Sequence, residues 1–409
     1  MAKPGRKLLP RILLAGGAAA LALAGAEAGM RAYLVSKSGA TDFASYRRRC
    51  LGEQLAIFEQ DAAGELTDLR PGQHQGKLIT INRQGFRGAP ALEPKPADGF
   101  RIVCIGGSGC FGTTSSGDAA TFPAFLERSL RENANDPAAV EVLNGGLPGA
   151  TTALAITRFE QRLRPLRPDL VILYNLINDI LQSRRAKLGL DPRMRPLVPV
   201  SGPVSALLSH SAIYLAIVSA RTEREKAAEI AEANRAQADQ ARGTPAARER
   251  ARAVEQAVTR EQAGSGDANE KNLYLVPEHV AEFRAQLERF ARLARQSGAT
   301  PVFCTFAMRF RGDETQREYQ ENGPATARYM PDWKMAWGAI GAMNDVIRET
   351  ARATGSPLVD VAAKIPKKPE YFPPGDTDHF TDAGCAAAGA LIAAELRSQG
   401  LLARGALAK

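Results

Sequence analysis

A serine hydroxyl becomes a nucleophile only when a positioned imidazole removes its proton, and that imidazole needs an acceptor on its far nitrogen to fix the tautomer. The chain has four histidines: His74, His210, His279 and His379. Only His379 sits in a Gly/Asp-rich segment ahead of a helix, Gly375-Asp376-Thr377-Asp378-His379-Phe380. Asp376 lies three residues before it, and a D-x-x-H spacing in a turn lets the carboxylate reach back to the ring. Asp378 is adjacent to the histidine and too close to orient it easily, and Asp179 reads as a local capping acid. A matching nucleophile is Ser108, in the glycine loop Gly106-Gly107-Ser108-Gly109. The tetrahedral adduct of acyl transfer needs N–H donors for its oxyanion. The backbone amides of Ser108 and Gly149 and the side-chain amide of Asn178 form the natural set. Gly149 suits this role because a residue without Cβ lets the backbone come close.

These residues are far apart in the chain, so a scaffold must bring them together. Short apolar runs at 101–106, 140–144, 168–174, 301–306 and 357–361 read as strands. Helical spacing at 122–133, 152–163, 280–296 and 337–354 places helices between them. Alternating strands and helices, with the strands apolar in near-continuous runs, predict an α/β fold. The expected architecture is a three-layer α/β/α sandwich around a central parallel sheet of about five strands. Ligands of such sheets bind beyond the carboxyl ends of the strands. The loops carrying Ser108, Gly149 and Asn178 each follow a strand, and the His379 loop precedes a final Ala-rich helix.

The rest of the chain divides by composition. Residues 1–34 hold a basic stretch and then an apolar run, and they read as a signal peptide or an N-terminal membrane anchor. Residues 35–98 form a polar lead-in expected to pack on the domain edge, with a strand signal at 77–81 and a glycine turn at 82–88. The main domain runs over 99–404. Within it, residues 220–271 are rich in Ala, Arg, Glu and Gln and predict an exposed helical hairpin with a break at Gly243-Thr244-Pro245, a candidate site for a partner protein. The apolar run from Val204 to Val218 reads as a core helix.

Bulk properties exclude several classes. With 44% hydrophobic and 24% charged residues the chain is not disordered as a whole. Four of the nine excess positive charges are Lys3, Arg6, Lys7 and Arg11, and no basic-aromatic stripe appears, so nucleic acid is not an expected partner. The five cysteines, Cys50, Cys104, Cys110, Cys304 and Cys385, form no CxxC pair and no disulfide framework. The loop Gly107-Ser108-Gly109-Cys110-Phe111-Gly112 spells G-x-G-x-x-G, but the next strand ends in Asn144 where a dinucleotide site needs an acid for the ribose. Cys110 breaks the G-x-S-x-G of an α/β-hydrolase elbow. No lysine completes a Walker loop, and a metal-dependent hydrolase needs more clustered His and carboxylates.

In order and spacing, four segments resemble the SGNH/GDSL hydrolase superfamily over about residues 100–398. The family's first block is a strand followed by Gly-Asp-Ser, here Gly106-Gly107-Ser108 with glycine in the middle. Its second gives Gly149. Its third, G-x-N-D, gives Asn178 with Leu176 in place of the glycine, and its D-x-x-H gives Asp376 and His379. The leader, the 82–88 motif and the Gly-Gly-Ser variant resemble membrane-attached bacterial members. The resemblance implies a flavodoxin-like sheet and an esterase or O-acyltransferase with a Ser108-His379-Asp376 triad and no metal or cofactor. It implies acyl esters of a small molecule or of an envelope or exported polysaccharide, and acetyl is the default acyl group for a site near so many glycines. The implied location is the bacterial inner membrane with the domain on the periplasmic side, or the periplasm itself. The alternative is an inactive relative that binds glycan or organises an envelope complex, which would have no need of all three residues.

Overall fold

The structure is a computed structural model. It describes residues 8–402 apart from 39–41, 53–56, 61–65, 75–77, 133, 135, 188–197, 199, 201, 244–273 and 276. Two compact units emerge: residues 1–56 with 194–229, and residues 57–193 with 230–409.

The first unit is helical. Helix α1 (Leu8–Ser38) is followed by α2 (Phe43–Cys50). One stretch of α1, Leu14–Ser36, is long and apolar enough to cross a membrane, with a mean hydropathy of 1.2 and none of it buried.

In the second unit, two antiparallel pairs precede the main sheet: β1 (Phe58–Gln60) with β2 (Leu66–Leu69), and β3 (Gly72–His74) with β4 (Ile79–Ile81). The sheet follows as β5 (Phe100–Gly106), β6 (Val140–Asn144), β7 (Leu170–Tyr174), β8 (Thr300–Cys304) and β9 (Leu358–Val359). Its order is β6-β5-β7-β8-β9, and every pair is parallel. The short helix α3 (Ser108–Phe111) and then α4 (Phe122–Arg131) come after β5. Helix α5 (Thr152–Arg158) follows β6, and α6 (Ile177–Lys187) follows β7.

Further along, α7 (Pro203–Leu208) and α8 (Ala212–Gly243) return the chain to the first unit. The chain then re-enters the sheet through α9 (Pro277–Gln296), α10 (Trp333–Ala353) and the final α11 (Asp382–Ser398). Helices α4 and α11 pack together, and α5, α9 and α10 pack as a second group. The chain leaves β5 toward β6 in one direction and β7 toward β9 in the other, so right-handed crossovers put the two groups on opposite faces. The fold is the expected three-layer α/β/α sandwich with five parallel strands.

Every residue of β5, β6 and β7 is buried, as both-face coverage demands. Arg101 and Glu141 are the charged members, directly paired in the β5–β6 register. The Arg101 guanidinium donates to Glu141 Oε2 at 3.0 and 2.7 Å and also to the Leu166 and Leu92 carbonyls. With both side chains under a tenth exposed, losing one partner strands a buried charge. Arg101→Leu is therefore expected to cost about 3–5 kcal/mol. The loss would appear as a lower urea midpoint with an unchanged slope.

Two expectations change. The run from Val204 to Val218 is not one core helix but α7 and the first turns of α8, separated at residues 209–211. Arg47 holds the break by donating to the Ser209 carbonyl and hydroxyl oxygens, both at 3.0 Å. Only Ala212 and Leu215 of this run are buried hydrophobics, and Leu215 joins Cys50 and Val198 in a small cluster of the first unit. The 220–271 segment begins as the later part of α8, which stops at Gly243; between 220 and 233 it is mostly exposed, with Ile230 buried. The second arm of the expected hairpin lies outside the described residues. All five cysteines are free and buried.

Candidate active site

Strand β5 delivers its chain to the sheet's switch point, where β6 lies on one side and β7 on the other, and the loops after β5 and β7 diverge. The turn from β5 into α3 starts at Gly106, whose missing Cβ would stand 2.1 Å from the Tyr174 carbonyl oxygen. Gly107 is the N-cap of α3, and a Cβ there would meet the Asn175 and Asn178 side-chain amides, each at 2.8 Å. This explains the glycine where the resembled family has aspartate. Asn175 fills the space instead and accepts a hydrogen bond from the Gly107 N–H at 3.1 Å. Its amide also donates to Ala150 O, Thr152 Oγ1 and Asp179. One buried side chain thus ties together the loops after β5, β6 and β7.

Ser108 stands first in α3, half-buried. Its Oγ lies 2.7 Å from His379 Nε2. The other ring nitrogen, Nδ1, lies 2.8 and 3.1 Å from the two Asp376 oxygens. Asp376 Oδ1 also accepts from the Asp378 and His379 backbone N–H groups, each at 3.0 Å, which locks the carboxylate in its own turn. Thr377, inside that turn, is held in place as well. Arg309 N–H donates to Thr377 O at 2.8 Å, and the Thr326 and Thr377 hydroxyls meet at 2.7 Å. Below, Tyr174 stacks against Phe306 and Phe380 and accepts from the Ala307 N–H.

Charge follows the geometry. Burial disfavours the imidazolium, but the carboxylates of Asp378 and Asp376 outweigh it and raise His379 above the ordinary histidine value. Burial alone would raise Asp376, yet His379 and the two backbone donors hold it below the usual carboxylate range. Asp378 is 3.8 Å from Nδ1, beyond hydrogen-bond reach, and burial pushes it up. The ligand atoms of Asp376, Asp378 and His379 lie within 4.8 Å of one another, a spacing that a metal ion could bridge. Those of Asp376 and His379 already bind each other, the local backbone and Ser108, which fits an oriented base better than a ligand set.

The three sequence-predicted donors fall around the same turn. Gly149 takes a left-handed conformation at φ +79°, beside Ala150, whose carbonyl contacts Asn175 and Asn178. Neither the Ser108 nor the Gly149 N–H makes a hydrogen bond among the described residues. Asn178 donates to Ala150 O at 3.0 Å, which leaves its second amide hydrogen for a ligand. Burial raises the carboxyl of Asp179 to about 7, against the hydrogen bonds it accepts from Thr152. Its position agrees with a capping acid.

Sequence reasoning passed over two arginines of this neighbourhood. Arg87, in the glycine turn ahead of the sheet, is buried and donates to the carbonyls of Phe111 and Gly112 at 3.1 and 2.7 Å. Its Nε pairs with Asp118 at 2.8 Å. A cation on the last carbonyls of α3 satisfies groups that the helix itself cannot. Arg158 does the same for the second loop, binding Gly145 O at 2.9 Å together with Gly85 O and Asp68. The sequence marked only the glycine turn: Gly85 and Gly88 have positive φ, but nothing in the run showed that Arg87 would turn inward.

A model of the GDSL-like lipase/acylhydrolase family matches residues 104–387. No curated protein matches the chain. Among solved structures, the lipase/acylhydrolase from Enterococcus faecalis is similar, with 16% identity over 73% of this chain and 96% of that one and a TM-score of 0.38. An acetyl xylan esterase aligns at 12% identity over 73% and 99%, with a TM-score of 0.37. A catalytic mutant of an acetylxylan esterase from Geobacillus stearothermophilus aligns at 14% identity over 74% and 96%, with a TM-score of 0.38.

Proposed function

The chain belongs to the GDSL-like lipase/acylhydrolase family, and on that footing we propose that it is a serine esterase or O-acyltransferase working through Ser108, His379 and Asp376. The observation that carries this reading is the unbroken line from Asp376 through His379 to Ser108, with contacts of 2.8 and 2.7 Å. In the neutral ring, Nδ1 keeps its proton toward Asp376 and Nε2 accepts the Ser108 proton as Oγ attacks the ester carbonyl carbon. The oxyanion takes hydrogen bonds from the Ser108 and Gly149 N–H groups and the Asn178 amide. Collapse of the adduct breaks the bond to the alcohol, which leaves with the proton from His379. Water, or a sugar hydroxyl in a transferase, then attacks the acyl-enzyme by the same steps in reverse.

The proposed acyl group is acetyl, because the loops around Ser108 are crowded with glycine backbone. The proposed acceptor or substrate is a polysaccharide of the cell envelope, since α1 is read as an anchor in the bacterial inner membrane with the sheet domain on the periplasmic side. Residues 57–98 of the lead-in support the loops of the domain, and the 220–271 segment, of which α8 supplies the described part, is a surface for a partner protein.

A serine-directed fluorophosphonate is the direct test. The wild-type protein is expected to form a covalent adduct at Ser108; no adduct would leave only the glycan-binding alternative. Products of an acetylated ester, with and without a polysaccharide acceptor, then separate hydrolysis from transfer. Asn178→Ala is expected to lower kcat by about 10²–10³, the usual loss for one oxyanion donor. Labelling by the probe should persist in that variant at a reduced rate.

A further inference from the structure

Among its described residues, the first unit presents an apolar surface left exposed by their packing. Helix α7, Pro-Val-Ser-Ala-Leu-Leu, carries no charged residue. Val204, Leu207 and Leu208 are 69%, 75% and 43% exposed. They stand at i, i+3 and i+4 and therefore share one face. Ile217, on the second turn of α8, is also 64% exposed.

What surrounds this face fixes its depth along α1. Glu27 of α1 accepts from the Ala212 and Ile213 N–H groups at 2.6 and 3.3 Å and from Ser211 Oγ at 2.9 Å. Glu27 thereby takes the place of a side-chain cap on α8. One turn on, Arg31 donates to His210 O at 3.0 Å and pairs with Glu27. The link between α7 and α8 is thus pinned to α1 at Glu27–Arg31. From Leu14, where the apolar stretch begins, to Arg31 the helix rises about 26 Å at 1.5 Å per residue, close to the ~30 Å of a bilayer's hydrocarbon core. With Leu14 at one boundary, Arg31 lies near the other and Glu27 one turn inside it. Tyr33, 56% exposed just beyond, is of the type that settles at that boundary. Cleavage at Ala26-Glu27-Ala28, an A-x-A sequence, would remove Glu27 and with it the acceptor that holds the start of α8, whereas cleavage after Ala24 would leave the Glu27–Arg31 pair in place.

We propose that α7 and the first turns of α8 form an interfacial foot, which lies in the outer boundary of the lipid bilayer beside the spanning helix α1. The occupant of the apolar face is lipid because the face is tied to α1 at the level where hydrocarbon gives way to headgroups. A short uncharged helix with three exposed aliphatic side chains suits a shallow seat about 5–10 Å deep. The proposal rests on reading α1 as a membrane anchor and is independent of the esterase assignment.

The test uses the full chain in vesicles of phosphatidylcholine and phosphatidylglycerol. The native cysteines are buried, so a thiol-reactive nitrobenzoxadiazole dye can report single introduced sites. Three positions are compared: Leu207→Cys on the foot, Leu21→Cys within α1, and Glu225→Cys on the exposed later part of α8. Lipids carrying a nitroxide near the headgroup and, in parallel vesicles, deep in the acyl chain supply the quenchers. With the headgroup nitroxide the dye at 207 is expected to lose about half its emission, as befits a shallow seat; the acyl-chain nitroxide quenches 21, and 225 is unaffected by either. Quenching at 21 with none at 207 would overturn the foot while leaving the anchor intact, and the face would then be covered by protein or water. No quenching at 21 would remove the anchor reading and the proposal with it. Equal quenching at 207 and 225 would also overturn it, since all of α8 would then lie on the lipid.

Discussion

Ser108→Ala is expected to lower kcat by roughly 10⁶, the scale seen when one member of a triad that acts as a unit is removed. The variant should keep the wild-type circular dichroism spectrum and urea midpoint, because the Ser108 side chain's contact is with His379 and not with the core. Fluorophosphonate adduct formation should vanish with the activity. A variant that still turned over ester at a tenth of the wild-type rate would sink the nucleophile assignment, whatever the family. The loss should be in kcat with KM little changed, since the hydroxyl acts in the transition state.

The two carboxylates beside His379 should behave differently on replacement. Asp376→Asn removes the acceptor that fixes the ring tautomer, and a loss of about 10⁴ in kcat is expected. Asp378→Asn removes a charge that faces the ring at 3.8 Å but makes no bond to it. Activity requires neutral His379, so it rises with pH as the imidazolium loses its proton. Asp378 and Asp376 raise that proton's affinity; with Asp378 neutral, the acid limb of the pH–rate profile is expected to move to lower pH. The plateau should stay within a few-fold of wild type. An acid limb that stayed in place, or moved up, would show that Asp378 does not act on the ring through its charge.

The sheet was legible because its strands are the simplest kind of signal. Residues 102–105 and 170–173 are apolar without interruption, which only a strand covered on both faces tolerates over so short a span. The meeting of Ser108 with the Asp376–His379 turn was legible for a related reason. Once the strands are parallel, each loop after a strand opens on one edge, and the histidine could serve only from there. The supporting residues were not legible. Arg87 lies in a turn, Asn175 at a strand end and Arg158 at the end of α5, polar residues at places that usually mean solvation. Their burial depends on carbonyls from β5- and β6-loops that no local pattern reveals. The Val204–Val218 run misled for the opposite reason. Its hydrophobicity fits a core helix, but Ser209, His210 and Ser211 interrupt it, and Arg47 and Glu27 from elsewhere in the unit bind that interruption.

Arg87 and Arg158 have a consequence for how this protein can be taken apart and inherited. Both connect the loops of the site to residues that precede the sheet, and the family match begins only at residue 104. A chimera that joined residues 100–402 to another protein's leader would leave the Phe111 and Gly112 carbonyls without the Arg87 donor. It would also deprive Arg158 of Gly85 and Asp68. The smallest transplantable module therefore starts near Ile57 rather than at the first strand of the sheet. In a lineage of such proteins, the turn around Arg87 and the loop after Ser108 should be exchanged together or not at all.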